Sequence, residues 1–262
     1  MVIDCFMFLN ELDILEIKLK ELDPVVDMFV LIESNKTHTG LNKPYYFEMN
    51  KDRFAWNKKI KSLTINIDVN SDYWVNEIKQ REIMRQMILG FAQPEDIIIL
   101  SDLDEITSPQ VVREYIDKKL DGIYKIKTNL YKYFLNTRFG EKIKPEGALV
   151  DNHSWLSLRI MKVKHYKTFD IDRRNYGNID YPVLEGGWHF TYCGGAEQVY
   201  DKYKACAHFK DLKFRSLEDI KNRLANRKDI WSDTDIIAEP IGDSFPQYVR
   251  ENQEKFKHLI LN

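Results

Sequence analysis

The densest chemistry in the chain lies in Asp102-Leu103-Asp104-Glu105. Two carboxylates one residue apart on an extended segment face the same side, with Leu103 between them facing a core. Such a pair can hold one hard cation, Mg2+ or Mn2+, when a diphosphate and water supply the remaining oxygens. Asp-x-Asp alone is a weak motif, since a solvated acidic loop has the same composition. Its surroundings give it weight. The apolar run Ile97-Ile98-Ile99-Leu100 precedes it, and Ser108-Pro109 follows with a cap residue and a proline suited to a helix start. In open α/β sheets, ligands bind beyond the carboxyl ends of strands, which is where this sequence places the pair.

The elements that must carry these carboxylates begin at the N-terminus. Val2-Ile3-Asp4-Cys5-Phe6-Met7-Phe8-Leu9 is mostly apolar and suits a buried strand. Asn10 is placed to cap the next segment, where Leu12, Leu15, Ile17, Leu19 and Leu22 recur at nearly helical spacing until Pro24. Met28-Phe29-Val30-Leu31-Ile32 then forms a second strand ending at Glu33. Strand–helix–strand in so short a span predicts a parallel sheet. Residues 34–57 lack periodicity and read as a loop. Residues 60–67 form a third strand, and a helix over 73–90 capped by Asp72 buries Trp74, Ile78, Met84, Ile88 and Phe91. The stretches 124–134 and 154–163 predict further strands, partly antiparallel. Gly186-Gly187-Trp188-His189 leads to Gly194-Gly195 and a helix reaching about residue 207. Ser216 and Asp219 form a capping box for a helix over 217–228, and 245–259 reads as helical. The fold class expected is α/β, a mixed and mostly parallel sheet flanked by helices. No linker or repeat divides it, so 1–262 is one domain with halves at 1–125 and 126–262.

Composition narrows the function. With 262 residues, 44% of them hydrophobic, the chain can bury a sizeable core. A formal charge of -2 gives no global basic field for nucleic acid. Cys5, Cys193 and Cys206 form no spaced framework, and so low and odd a count fits a reducing compartment. No apolar run approaches the roughly 20 residues of a membrane span, and the N-terminus has no basic region of a signal peptide. A cytoplasmic location is expected. Oligomeric state is not legible.

Several motifs occur together in order: Asn10-Glu11-Leu12-Asp13-Ile14-Leu15-Glu16-Ile17, Val30-Leu31-Ile32-Glu33-Ser34, Thr37-His38-Thr39-Gly40, Ser101-Asp102-Leu103-Asp104-Glu105-Ile106 and Gly187-Trp188-His189-Phe190. They resemble glycosyltransferase family 17, over roughly residues 4–210. The resemblance implies a GT-A-type nucleotide-sugar fold, a UDP-sugar donor, transfer of N-acetylglucosamine to a glycan acceptor, and inversion at the anomeric carbon. The first half would bind the donor and the second the acceptor. The chain is similar to short members of the family without a membrane anchor.

The resemblance also implies roles. Asp104 would be the direct ligand of Mn2+ or Mg2+, with Asp102 reaching ribose or metal-bound water and Glu105 behind them. A late histidine would complete the metal shell: His208, in Cys206-Ala207-His208-Phe209, ahead of His189 in Gly-Trp-His-Phe. Glu197, after Gly194-Gly195-Ala196, resembles the acidic base of inverting GT-A enzymes. Glu185 is its rival and Asp151 a weaker third. Phe8, Asn10 and Glu33, at the ends of the first two strands, are placed to contact the uracil side of the donor. Arg81 could reach a phosphate or pair with Asp102. Trp155 and Trp188 could stack on sugars or belong to the core. Two other classes use the same residue types: a metal-dependent phosphohydrolase or nucleotidyltransferase on Asp102 and Asp104, and a non-catalytic carbohydrate-binding protein drawing on the 13% aromatic content.

Overall fold

A computed structural model describes residues 1–140, 154–171, 180–210 and 215–261. Asp151 lies outside them. β1 (Val2–Phe8) passes through α1 (Leu12–Leu22) to β2 (Met28–Ser34), and the two strands pair in parallel. Asn10 does not cap α1. Glu11 occupies that position without a side-chain cap, and the Asn10 side chain instead accepts a 2.5 Å hydrogen bond from Gln198 Nε2. The segment expected as loop contains α2 (Tyr46–Asn50) and a 3-10 turn at Lys51–Phe54. These are too short for a periodic signal, and Phe47 stacked on Phe54 at 5.8 Å seats them in the core.

β3 (Ile60–Ile65) follows, then α3 (Tyr73–Leu89), whose cap Asp72 accepts from the Trp74 N–H at 3.0 Å. The buried face of α3 departs from expectation. Asn76, Gln80 and Arg81 are buried beside Met84 and Ile88, while Trp74 and Ile78 are half-buried. β4 (Ile97–Leu100), β5 (Glu105–Thr107) and α4 (Pro109–Asp117) come next, and Ser108 Oγ caps α4 by accepting from the Val111 N–H. The second half contributes β6 (Tyr124–Lys132), β7 (Thr137–Phe139), β8 (Ser154–Trp155), β9 (Arg159–Lys162), α5 (Val163–Tyr166), β10 (Val183–Thr191), α6 (Gly195–Ala205), α7 (Leu217–Ala225), β11 (Ile236–Ala238) and α8 (Gln247–Glu251). Ser216 caps α7 as expected. The C-terminal region is not one helix: α8 is short, and a 3-10 turn at Lys257–Leu259 follows.

Among the described residues one nine-stranded sheet runs β3-β2-β1-β4-β9-β6-β10-β5, with β8 beside β6. β1, β2, β3, β4, β6 and β10 point one way, and β5, β8 and β9 the other. The sheet is thus mixed and mostly parallel. Its central strands bury both faces, so they read as continuous apolar runs whose alternate residues enter different cores. Phe6, Phe29, Leu31 and Ile99 face one core with α1 and α4. Cys5, Val30, Ile32, Ile98 and Leu100 face the other with Met84 and Ile88 of α3. A smaller cluster lies under α6 and α7. No described helix is long and apolar enough to cross a membrane.

Candidate active site

The chain after β4 does not continue straight. Residues 102–105 turn, with the Glu105 N–H on the Asp102 carbonyl at 3.1 Å, before β5 begins. Asp102 and Asp104 therefore share a cavity by a turn and not by strand alternation. Leu103 packs into the core as expected. Lys18 holds this turn from below. Fully buried on α1, its ammonium donates to Ser101 Oγ at 2.7 Å, the Glu105 carbonyl at 2.8 Å and the Asp102 carbonyl at 3.3 Å, and meets Asp4 of β1 at 3.4 Å. Burial raises the Asp4 carboxyl above its ordinary range against the pull of Lys18. Glu105, also buried, accepts from the Asp102 N–H at 2.8 Å and from the Trp155 indole N–H at 2.6 Å.

The cavity, about 560 Å³, opens beyond the carboxyl ends of β1 and β4 and takes its walls from both halves of the chain. Asp104 is its most constrained acid, 3% exposed. Lys202 Nζ on α6 lies 2.5 Å from its Oδ2, and His189 Nε2 on β10 lies 3.5 Å from its Oδ1. Burial pushes this carboxyl up, but Lys202 and His189 outweigh it and hold it well below the usual carboxylate range. Lys202 also pairs with Glu11 at 2.8 Å. Its burial would lower the ammonium, yet the two carboxylates raise it well above an ordinary lysine.

Asp102 is more open, with a side chain 37% exposed, and pairs with Arg81 at 2.6 Å. Arg81, 2% exposed, is held on its own helix by Glu77 at 2.9 Å, and Glu77 lies 3.6 Å from His38 Nδ1. Burial lowers the His38 imidazole against the attraction of Glu77. The loop bearing His38 is fastened to α6 and its end, since the His38 N–H donates to the Ala205 carbonyl and Thr39 Oγ1 to the Lys204 carbonyl.

The sequence-derived candidates thus separate. Phe8, Arg81, Asp102, Asp104, His189, His208 and Trp155 line the cavity. Arg81 takes the role of Asp102 partner and not that of an exposed helix arginine. The His208 and Trp74 rings meet at right angles with centroids 4.5 Å apart, while His189 is the histidine beside Asp104. Glu33 is committed elsewhere, buried beneath the Phe47 N–H and Lys43, and Asn10 is held by Gln198. Of the base candidates within the described residues, neither Glu197 nor Glu185 is among those lining the cavity. Glu197 is exposed and pairs with Lys221 at 2.8 Å, and Glu185 is exposed and pairs with Lys127 at 3.8 Å. Trp188 donates to the Ser244 carbonyl at 2.7 Å and takes its place in the core. Sequence reasoning passed over Glu11, Lys18, His38, Glu77 and Lys202. Glu11 and His38 sit inside quoted motifs, which was the available signal; the other three have none.

A divalent cation would find a partial site here. Adjacent ligands of one octahedral ion with bonds of about 2.1 Å lie about 3 Å apart, near the 3.5 Å between Asp104 Oδ1 and His189 Nε2. Carboxylate oxygen with imidazole nitrogen suits Mn2+ ahead of the all-oxygen preference of Mg2+. No group of three or more His, Cys, Asp or Glu set for a metal occurs among the described residues. The residues fit an ion bound by two protein groups and completed by a diphosphate and water.

Comparison with known proteins agrees with the motif resemblance. The model of glycosyltransferase family 17 matches residues 1–261. The beta-1,4-mannosyl-glycoprotein 4-beta-N-acetylglucosaminyltransferase of Rattus norvegicus is 24% identical over 299 residues, covering 100% of this chain and 54% of that protein. Its Homo sapiens counterpart is also 24% identical, with 100% and 55% covered. The chain spans about half the length of the curated relatives it matches. Among solved structures, 4-diphosphocytidyl-2C-methyl-D-erythritol synthase from Anaerococcus prevotii DSM 20548 aligns with a TM-score of 0.43 at 13% identity, over 80% of this chain and 98% of that one. HddC from Yersinia pseudotuberculosis in complex with GMP-PN aligns at 0.40 and 12% identity, over 79% and 98%.

Proposed function

The chain belongs to glycosyltransferase family 17, and from that premise we propose that it transfers N-acetylglucosamine from a UDP-sugar to a glycan acceptor. The reaction is a metal-dependent, inverting, direct displacement on a GT-A-type fold. The observation that carries this is the convergence of Asp102, Asp104, His189, Arg81 and Lys202 on one cavity at the strand ends. A nucleoside diphosphate needs its charge met, and this wall offers the Asp104 carboxylate and the His189 imidazole for a cation together with fixed cationic side chains. The acceptor class is taken from the relatives, whose names specify a β-mannosyl glycoprotein.

Asp104 and His189 would hold Mn2+ or Mg2+, which when bound supplies a Lewis acid for the diphosphate. Arg81 fixes the direction of the Asp102 carboxylate, and Glu77 fixes Arg81, so Asp102 is oriented before substrate arrives. Lys18 and Glu105 hold the backbone of the turn, keeping both aspartates in register. Trp155, tied by its indole N–H to Glu105 with its ring 5.1 Å from that of His189, gives the wall an apolar face suited to a sugar ring.

The test is UDP binding with and without Mn2+ by calorimetry. Asp104→Ala is expected to keep its circular dichroism and to lose at least about tenfold in UDP affinity, with no response left to Mn2+. UDP affinity that ignores both Mn2+ and the substitution would remove the metal assignment. Release of UDP from a UDP-sugar only when a glycan acceptor is present separates transfer from phosphohydrolase chemistry. Glu197→Gln and Glu185→Gln test the base candidates: loss of transfer with donor binding intact would assign the role.

A further inference from the structure

Lys202 has no part in the motifs and none in metal binding, yet it occupies the centre of the site. Its ammonium lies between Glu11 at 2.8 Å and Asp104 at 2.5 Å, with the Tyr192 ring at 5.7 Å. Three chain regions meet there: the start of α1, the turn after β4, and α6. An ammonium has three N–H donors, and the two carboxylates engage two of them. The side chain is 18% exposed and lines the cavity on the same wall as Asp104 and His189. Burying an ion pair gains little over well-packed apolar groups. A charge kept at a cavity wall with a donor to spare is therefore better explained by an anionic ligand than by stability.

We propose that Lys202 binds the diphosphate of the donor directly, as a fixed cation of the protein beside the divalent metal. This rests on the UDP-sugar reading above and adds to it a residue that touches the leaving group. In the transfer, the acceptor oxygen bonds to the anomeric carbon while the bond from that carbon to the β-phosphate oxygen breaks. The electron pair stays on that oxygen, and the acceptor proton passes through a base to solvent. UDP departs with one more negative charge than it carried in the sugar nucleotide, and Lys202, already held in place by its two carboxylates, stabilises that increment. The Glu11 and Asp104 carboxylates keep the ammonium at the wall and stop it from folding away into solvent.

The experiment compares uridine, UMP and UDP binding to the intact chain by calorimetry in saturating Mn2+, for wild type, Lys202→Met and Lys202→Arg. The three ligands differ in phosphate number, so a contact to the diphosphate is read separately from one to the nucleoside. Lys202→Met is expected to lose about tenfold or more in UDP affinity while uridine stays within about twofold, and Lys202→Arg to recover part of the loss. Equal losses on all three ligands, or an unchanged UDP affinity, overturn the proposal. If Lys202→Met does not fold by circular dichroism, Lys202→Gln takes its place under the same criteria. Wild type that binds UDP no better than uridine overturns the nucleotide-sugar reading itself, a different result from a wild-type preference for UDP that survives loss of the lysine.

Discussion

Glu105 organises the site without lining the cavity. One carboxylate oxygen takes the Asp102 N–H at 2.8 Å and the other takes the Trp155 indole N–H at 2.6 Å. Both donors are neutral N–H groups, so an ionised carboxylate accepts both where an amide can accept on one side only. Glu105→Gln must turn an N–H2 toward one of them. The expected cost is about 1–3 kcal/mol of stability, with transfer slowed because the Asp102 turn loosens. Urea unfolding and the transfer rate check this; a variant as stable and as active as wild type would mean that the carboxylate holds nothing in place. At this scale the sequence shows some residues and hides others for a physical reason. Asp102 and Asp104 are visible because they sit two apart. Lys202 and Asp104 are 98 residues apart and meet only because the sheet brings α6 over β4. Lys18 is hidden for another reason: it interrupts the buried side of α1 with a charge, and nothing local announces that Ser101 and two carbonyls await it.

The element that decides the site is β10. It pairs in parallel with β6 and antiparallel with β5, and it sets His189 opposite Glu105. Its register slips between Glu185 and Trp188, where Gly186 and Gly187 take φ of +145° and +135°. A Cβ on Gly187 would lie 2.3 Å from the Ile106 carbonyl oxygen and 2.9 Å from the Thr107 Cα, both backbone atoms that cannot swing away. Gly187→Ala must therefore push β10 off β5, moving His189 relative to Asp104. Destabilisation above about 2 kcal/mol is expected, together with loss of the Mn2+ response in UDP binding. Gly242→Ala, where a Cβ meets nothing within 4 Å, serves as the near-neutral control. Equal melting temperatures for the two variants would show that the bulge has room to spare. The longer helices were legible from their spacing and caps and the central strands as apolar runs, whereas α2, α5 and α8, of four or five residues, carry no period. The bulge was not, since a Gly-Gly pair looks the same in a turn, a linker or a strand. The mixed face of α3 was missed because Asn76, Gln80 and Arg81 are buried by bonding and not by apolar character.

For the whole molecule, the two halves read from the sequence share one sheet, and β9 from the second half lies between β4 of the first and β6. The C-terminal region closes the structure by returning to α1. Glu16 there receives Arg53 at 2.8 Å, the Tyr248 hydroxyl at 2.6 Å and Lys255, while Asp13 one turn earlier receives Arg53 and His258. Burial pushes the Glu16 carboxyl up, but hydrogen bonds from Lys255, Tyr248 and Arg53 outweigh it and bring it from an ordinary 4.5 down to about 2. A group whose folded value lies below its unfolded one stabilises the fold fully above the unfolded value, and that contribution disappears as pH falls toward the folded value. The window for Glu16 is therefore pH 4.5 to about 2. Lys255 is about half exposed, so solvent screening leaves on the order of 1 kcal/mol from this latch. Glu16→Gln should be less stable than wild type at pH 7 and should lose less across the acid window, so that the two urea midpoints converge near pH 2. Hydrogen exchange should locate the loss in residues 245–261 and the 3-10 turn at Lys51–Phe54, the segments the latch holds. Parallel acid profiles for wild type and variant would show that the C-terminal return is held by Val249, Phe256 and Leu259 in the core and owes nothing to the charge of Glu16.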